Sequence, residues 1–303
     1  MVFEVTILGT SSALPTSRRY PSAHVLNVHE RFFLIDCGEG TQMRLRQLRI
    51  RIGKIHHIFI SHTHGDHVFG LYGLLSTLNL TGRKTPLYLY APAAFGPMLF
   101  THLSDFDIHL NFEIRFVPLE GNKPKVIFEN RFMTVTSFPL KHRVPTYGFL
   151  FREKQQPRNI RKEAIQIYGI PLSAIPGIKR GDDFVTRDGE VIPNSSITYD
   201  PPAPRSYAYC SDTSYFKGLA RSVKGVDLLY HEATFGSEHA QLAGETGHST
   251  ASQAAGVASE AGVNRLLIGH FSARYKEVDG LLDEARAIFP GTIAGEDGST
   301  YPV

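Results

Sequence analysis

The segment His62-Thr63-His64-Gly65-Asp66-His67 gathers three imidazoles and a carboxylate into six residues. Neutral imidazole and carboxylate are the donors that suit Zn²⁺ and similar divalent ions. Four such groups this close can hold two metals rather than one, which predicts a two-metal hydrolytic enzyme. The preceding His57-Ile58-Phe59-Ile60-Ser61 reads as a buried strand opening into a loop at its C-terminal end. That is the edge where α/β proteins usually place their chemistry.

Other polar residues also close apolar strands. Phe138-Pro139-Leu140-Lys141-His142 ends in a histidine, and Tyr207-Ala208-Tyr209-Cys210-Ser211-Asp212 in an aspartate. Leu228-Leu229-Tyr230-His231-Glu232 ends in a His-Glu pair, and Leu266-Leu267-Ile268-Gly269-His270 in a histidine. One strand-terminal histidine is ordinarily a hydrogen-bonded structural residue. Several that can meet at one sheet edge, beside a dense His/Asp cluster, favour a metal site.

The elements that must position these groups alternate along the chain. Strands are expected at Val2–Leu8, His24–Val28, Phe32–Ile35, Ile55–Ile60, Pro86–Ala91, Arg131–Ser137 and Thr146–Phe151, then at Ser206–Cys210, Asp227–His231 and Arg265–Ile268. Helices are expected at Thr41–Arg51, Val68–Leu78, Ala93–Leu103, Ser249–Ala261 and Val278–Phe289. Between Arg152 and Pro204 the chain turns rich in Pro, Gly and charge, with little periodicity. A loop this long inside a compact domain is usually functional or linking. It predicts an insertion into one domain spanning residues 1–303, with the inserted arm at 152–204.

Composition narrows the class. The chain has 303 residues, 42% hydrophobic and 20% charged, as expected of a globular protein. It has no run of 18 apolar residues, so no membrane association is expected. The start, Met1 to Leu8, reads as a strand rather than a signal peptide, and Cys37 and Cys210 are isolated. Both features predict a cytoplasmic protein with two buried thiols. The formal net charge is +3, unevenly spread. Arg44, Arg46, Arg49, Arg51 and Lys54 give +5 between Met43 and Lys54. Seven basic residues from Arg152 to Arg180 against Glu153 and Glu163 give another +5, leaving −7 elsewhere. Such concentration points to a polyanionic partner.

With these residues in view, the chain resembles the metallo-β-lactamase superfamily, whose His-x-His-x-Asp-His signature matches His62, His64, Asp66 and His67. Within it the chain is most similar to the ribonuclease Z family of tRNA 3′-processing endoribonucleases. Leu8-Gly9-Thr10-Ser11-Ser12-Ala13-Leu14-Pro15, Asp36-Cys37-Gly38-Glu39-Gly40-Thr41-Gln42, Ser211-Asp212-Thr213, His231-Glu232-Ala233-Thr234, His248-Ser249-Thr250 and Ser272-Ala273-Arg274-Tyr275 carry the likeness. The resemblance implies an α/β fold, the four-layer αββα metallo-β-lactamase sandwich, with an inserted flexible exosite arm that grips tRNA. It implies two Zn²⁺ per subunit, or Mn²⁺. His62, His64 and His142 would hold one ion, Asp66, His67 and His270 the other, and Asp212 would bridge.

The implied reaction removes the 3′ trailer from precursor tRNA by dimetal-activated attack of water on the phosphodiester, leaving a 3′-hydroxyl. Asp66 would take or orient the water's proton. His248 would be the acid for the departing ribose oxygen, with Glu232 orienting its ring. Ser249 and Thr250 would cap the next helix and turn backbone N–H groups toward a phosphate. Arg274 would clamp a phosphate. The family implies a homodimer. The arm departs from the family's usual glycine-proline-rich tip, so its RNA contacts do not transfer residue by residue. The alternative is another hydrolase on this scaffold, acting on a small substrate. His24, His29, His56, His57, His102, His109 and His239 match no ligand position.

Overall fold

The computed structural model describes residues 2–303, and the chain divides into two compact units. The larger comprises residues 2–128, 135–151 and 205–303. It is built on two seven-stranded sheets. The first runs Thr300–Pro302, Phe3–Gly9, Ala23–Val28, Arg31–Ile35, Ile55–Phe59, Leu87–Pro92, Ile114–Leu119. The second runs Thr292–Ala294, Arg265–Gly269, Leu228–Glu232, Ser206–Cys210, Thr146–Glu153, Met133–Leu140, Lys125–Glu129.

The strand from Ile55 pairs in parallel with those from Arg31 and Leu87, and the strands from Ser206, Leu228 and Arg265 are also mutually parallel. Parallel strands buried on both faces read as continuous apolar runs, as Leu228-Leu229-Tyr230 and Leu266-Leu267-Ile268 do. Aromatics fill the space between sheets: Phe59 lies 5.4 Å from Phe149 and 5.3 Å from Phe151, ring centre to centre. On the far side of the first sheet, Val68, Leu71, Leu74, Leu75 and Leu78 of the helix Gly65–Leu80 join the buried cluster with Leu34 and Ile58. On the far side of the second, the alanine-rich helix Ala251–Ala261 and the helix Asp279–Ile288 pack against Leu229, Leu266 and Ile268. The result is the expected αββα sandwich.

Several bounds differ from the sequence reading for local reasons. The helix from Thr41 stops at Gln47, because Arg49 takes a left-handed backbone (φ 57°). The helix after the histidine cluster begins earlier, at Gly65, so Asp66 and His67 form its first turn. The helix expected from Ser249 begins at Ala251, with Thr250 as its N-cap. The strands Ile114–Leu119 and Lys125–Glu129 were not foreseen.

The smaller unit comprises residues 129–134 and 152–204. It is not the unstructured stretch that its composition suggests. It holds helices Lys162–Ile167, Ile175–Arg180 and Asn194–Ile197 and two short antiparallel strand pairs. Ala164, Ile170, Ile178, Phe184, Ile192 and Ile197 form a buried cluster of its own. The buried Asn194 ties it together, donating to the carbonyls of Ile178 and Asp182 (2.8 Å each) and accepting from the Thr198 hydroxyl (2.9 Å). Its charge is segregated rather than basic throughout. Across 152–204 eight basic residues face seven acids, and five of the acids, Asp182, Asp183, Asp188, Glu190 and Asp200, follow Arg180.

Candidate metal centre and active site

The expected ligands meet at one edge of the sandwich because each follows a strand. His62 and His64 follow Ile55–Phe59, His142 follows Met133–Leu140, and Asp212 follows Ser206–Cys210. In the second sheet the register Cys210↔His231 and Glu232↔Gly269 levels the ends that carry Asp212, Glu232 and His270. His270 turns into the site through a left-handed backbone (φ 60°), a conformation unusual for a non-glycine residue and concentrated at functional sites.

The donors form two groups around one carboxylate. His64 Nδ1 lies 3.1 Å from His62 Nε2 and 3.2 Å from His142 Nε2. His67 Nε2 and His270 Nε2 are 3.3 Å apart, each 3.5 Å from Asp66 Oδ2. Asp212 faces both groups. Its Oδ1 is 3.2 Å from His67 Nε2 and from His270 Nε2. Its Oδ2 is 3.5 Å from His62 Nε2 and 3.9 Å from His142 Nε2.

The outer nitrogens of four rings are each held by a second partner. His67 Nδ1 donates to Asp36 Oδ2 (2.8 Å) and His142 Nδ1 to the Gly247 carbonyl (2.7 Å). His62 Nδ1 meets Ser61 Oγ (3.0 Å), whose proton goes to Asp36 Oδ2 (2.9 Å). His270 Nδ1 meets Thr234 Oγ1 (3.0 Å), whose proton goes to Glu232 Oε2 (2.7 Å). Both hydroxyls have spent their proton and therefore accept. All four rings then carry hydrogen on Nδ1 and turn Nε2 to the centre, the nitrogen whose lone pair a metal would take in place of a proton.

The electrostatics also suit a cation. Burial lowers the pKa of His62, His64 and His142. Burial opposes charge on His67 too, but Asp212, Asp66 and Asp36 outweigh it and raise that pKa. Burial would likewise raise Asp66 and Asp212, yet the surrounding histidines hold both ionised. Two carboxylates and a ring that attracts a proton make the cluster a sink for positive charge. The donor set fits divalent metal.

Beside this cluster, Glu232 is fully buried and accepts five hydrogen bonds. They come from the Thr213, Ser249 and Thr234 amides, the Thr234 hydroxyl and His248 Nδ1 (3.0 Å). Burial works against charge on His248, but Glu232 overcomes it and pushes the pKa to about 9. His248 also lies within ligand distance of Asp212 and His270, although its Nδ1 is taken by Glu232. His231 does not join the site. It points to the opposite face of its strand, is fully buried, and bonds the Glu232 carbonyl.

Thr250 caps the next helix as expected, but the amides of Ser249 and Thr250 themselves are not offered to a phosphate. The Ser249 amide is used by Glu232 and its hydroxyl by the Thr213 carbonyl, and the Thr250 amide donates to Gln253 Oε1 in a capping box. Both side chains are buried, because holding Glu232 and starting the helix consume their donors. Arg274 is exposed, with Nε bonded to Ser272 Oγ (3.1 Å) and its guanidinium 5.1 Å over the Phe235 ring.

Sequence reasoning gave no role to Asp36, Ser61, Tyr209 or Thr234. Asp36 takes a left-handed backbone (φ 56°) at a strand end and accepts from His67, from both donors of Ser61 and from the Tyr209 hydroxyl (2.7 Å). A buried aspartate closing an apolar strand, Phe33-Leu34-Ile35-Asp36, was the signal available. The loop after it lies on the backbone of the metal helix. Cys37 N donates to His67 O (2.8 Å), Gly70 N to Cys37 O (2.9 Å), and a Cβ on Gly70 would sit 2.0 Å from the Gly38 carbonyl.

Comparison with known proteins agrees with this geometry. A family profile described as "Anti-Pycsar protein Apyc1" matches residues 3–155, a span that ends before Asp212, Glu232, His248 and His270. Proteins named ribonuclease Z match almost throughout. The one from Parabacteroides distasonis is 47% identical over 301 residues, 99% of each chain. That from Bacteroides fragilis is 46% identical over 295 residues, 97% of each chain. The crystal structure of human tRNase Z, short form, covers 98% of this chain and 98% of its own at a TM-score of 0.71 and 27% identity. A metallo-β-lactamase-fold protein from Bacillus subtilis, YhfI, reaches 0.72 over both full lengths at 19% identity, a likeness of fold alone. With relatives this similar over nearly its whole length, the chain belongs to the ribonuclease Z family of metallo-β-lactamase-fold enzymes.

Proposed function

We propose that this protein is the endoribonuclease that cuts precursor tRNA at the 3′ trailer and leaves a 3′-hydroxyl on the tRNA, using two zinc ions per subunit. The full-length relatives support the substrate class. The paired-metal reading is carried by the division of Asp212, one oxygen toward His67 and His270 and the other toward His62 and His142. His62, His64 and His142 would hold one ion, Asp66, His67 and His270 the other, with Asp212 shared; manganese is the alternative metal. Bound there, divalent ions would offset the charge developing on the phosphodiester and make an attacking water acidic.

The chain's own groups supply the rest. Asp66, fixed by the Ala13 amide at 2.8 Å, would orient the water. His248 is protonated at neutral pH, and with Nδ1 bound to Glu232 its Nε2–H would give the proton that the departing ribose O3′ needs. Glu232, saturated by its five donors, would keep that ring in place. The exposed Arg274 would grip a phosphate through its planar fork.

The arm at 152–204 would bind tRNA away from the cut, through the basic residues between Arg152 and Arg180. A homodimer is the proposed assembly. Exposed Met43, Leu80, Met98 and Phe100 on the helices Thr41–Gln47, Gly65–Leu80 and Phe95–Asp105 support it. The cytoplasm is the proposed compartment, and no described helix is long and apolar enough to cross a membrane. Mapping the ends after incubating a precursor tRNA with metal-loaded protein tests the reading. A tRNA ending in a 3′-hydroxyl and a trailer beginning with a 5′-phosphate are expected. A 3′-phosphate on the tRNA, or no cleavage, would contradict it.

A further inference from the structure

Beside the metal ligands lies a groove of about 440 Å³ that the chemistry above does not use. Ala13, Pro15, Pro21, Glu39 and Phe69 line it, and it shares His64 and Asp66 with the centre. Phe69 is 64% exposed, unusual for a phenylalanine one turn from a catalytic cluster. Helical side chains lean toward the N-terminus, so the ring lies back over Gly65, where a Cβ would come within 2.3 Å of it. An aromatic face is thus held on the backbone between His64 and Asp66. The opposite wall is held as well. Ala13 adopts a left-handed conformation (φ 56°) and donates its N–H to Asp66 Oδ2.

The chemistry of the walls selects the occupant. The lining has no lysine or arginine and two carboxylates, Glu39 and Asp66, so it would repel a phosphate. A flat aromatic flanked by prolines suits a nucleobase, and stacking accepts any base, as a variable RNA tail requires. The polarity of the cut selects which base. A product with a 3′-hydroxyl on the tRNA needs the leaving O3′ beside His248. That ring stands next to His142 (5.2 Å between ring centres) and His270 (5.5 Å), neither of which lines the groove. The nucleotide across the phosphorus is left with the His64–Asp66 side.

We propose that this groove is the subsite for the first trailer nucleotide and that Phe69 stacks on its base, an inference that rests on the nuclease reading above. The test uses three precursors: an intact one, one abasic at the first trailer position, and one abasic at the last tRNA position. Wild-type kcat/KM should fall roughly tenfold on the trailer-abasic substrate, the scale of one lost base–aromatic stack. Phe69→Leu should lose as much on the intact precursor and nothing further on the trailer-abasic one, and Phe69→Trp should restore the difference. Equal wild-type rates on the intact and trailer-abasic substrates would overturn the inference alone. So would a Phe69→Leu effect that vanishes only with the tRNA-side abasic residue. A wild type that cuts none of the three would overturn the nuclease reading and this inference with it.

Discussion

The larger and smaller units solve different problems with different materials. In the metal-bearing unit nearly every polar atom near the site is committed: four histidine rings each have a held outer nitrogen, and Glu232 accepts five bonds. The smaller unit rests on six buried apolar residues and one buried asparagine, while Ile167, Leu172, Val185 and Tyr199 stay exposed. Bond-making chemistry needs donors fixed to fractions of an ångström, so that unit is wired from strand ends. The role proposed for the smaller unit, gripping a large polyanion, would need reach and charge, which a small independent core can carry.

Breaking the centre should have the largest effect. Asp212→Ala removes the one group that faces both histidine sets, so metal content and precursor cleavage should both collapse. The loss should exceed the roughly 100-fold ceiling for losing a ligand's outer partner. RNA affinity should stay near wild type, as a binding isotherm would report.

His248→Ala should lower kcat by about 10²–10⁴, the usual worth of a general acid, with metal content unchanged. Glu232→Gln sharpens the point through pH. Glu232 raises His248 to about 9, and the acid acts while protonated, so the rate should fall as pH rises through that value. Removing the carboxylate charge lowers that pKa, so the alkaline limb of kcat should move to lower pH. An unmoved limb would take His248 out of the proton transfer.

Removing the whole arm, 152–204, behind a short linker should abolish precursor turnover and leave hydrolysis of bis(p-nitrophenyl) phosphate. A cut ending at Arg180 is a poor test, because it discards Ile178 from a cluster that keeps Phe184, Ile192 and Ile197. Equal loss of both activities in a folded deletion would separate the arm from substrate choice. The smallest effect is expected from Tyr209→Phe. It removes the hydroxyl that fixes Asp36 beneath His67 and should weaken metal binding by about tenfold, measured by chelator competition.

Much of the centre was legible in sequence because ligands must sit at strand ends and their types are few. The strand Ser206–Cys210 and the convergence of His142, Asp212 and His270 on the histidine cluster follow from apolar runs that stop at a ligand. What escaped depends on tertiary neighbours. Thr234 looks like any threonine until His270 and Glu232 are placed on either side of it. Ser249 misled for the same reason, since nothing local shows that Glu232 occupies its amide, whereas Thr250-Ala251-Ser252-Gln253 is a capping-box pattern that the sequence carries openly. In the arm, Pro176 and Gly177 belong to the Pro- and Gly-rich composition that read as an insertion with little periodicity. Proline fits the first turn of a helix, where no N–H partner is needed, and the helix Ile175–Arg180 begins there and ends on left-handed Gly181.

The central claim is that seven side chains form one centre for two ions. Metal stoichiometry after equilibrium dialysis of the full-length protein against zinc tests it most directly. Two ions per chain, with cleavage rising as the second site fills, is the predicted result. Full cleavage activity at one ion per chain or fewer would contradict it.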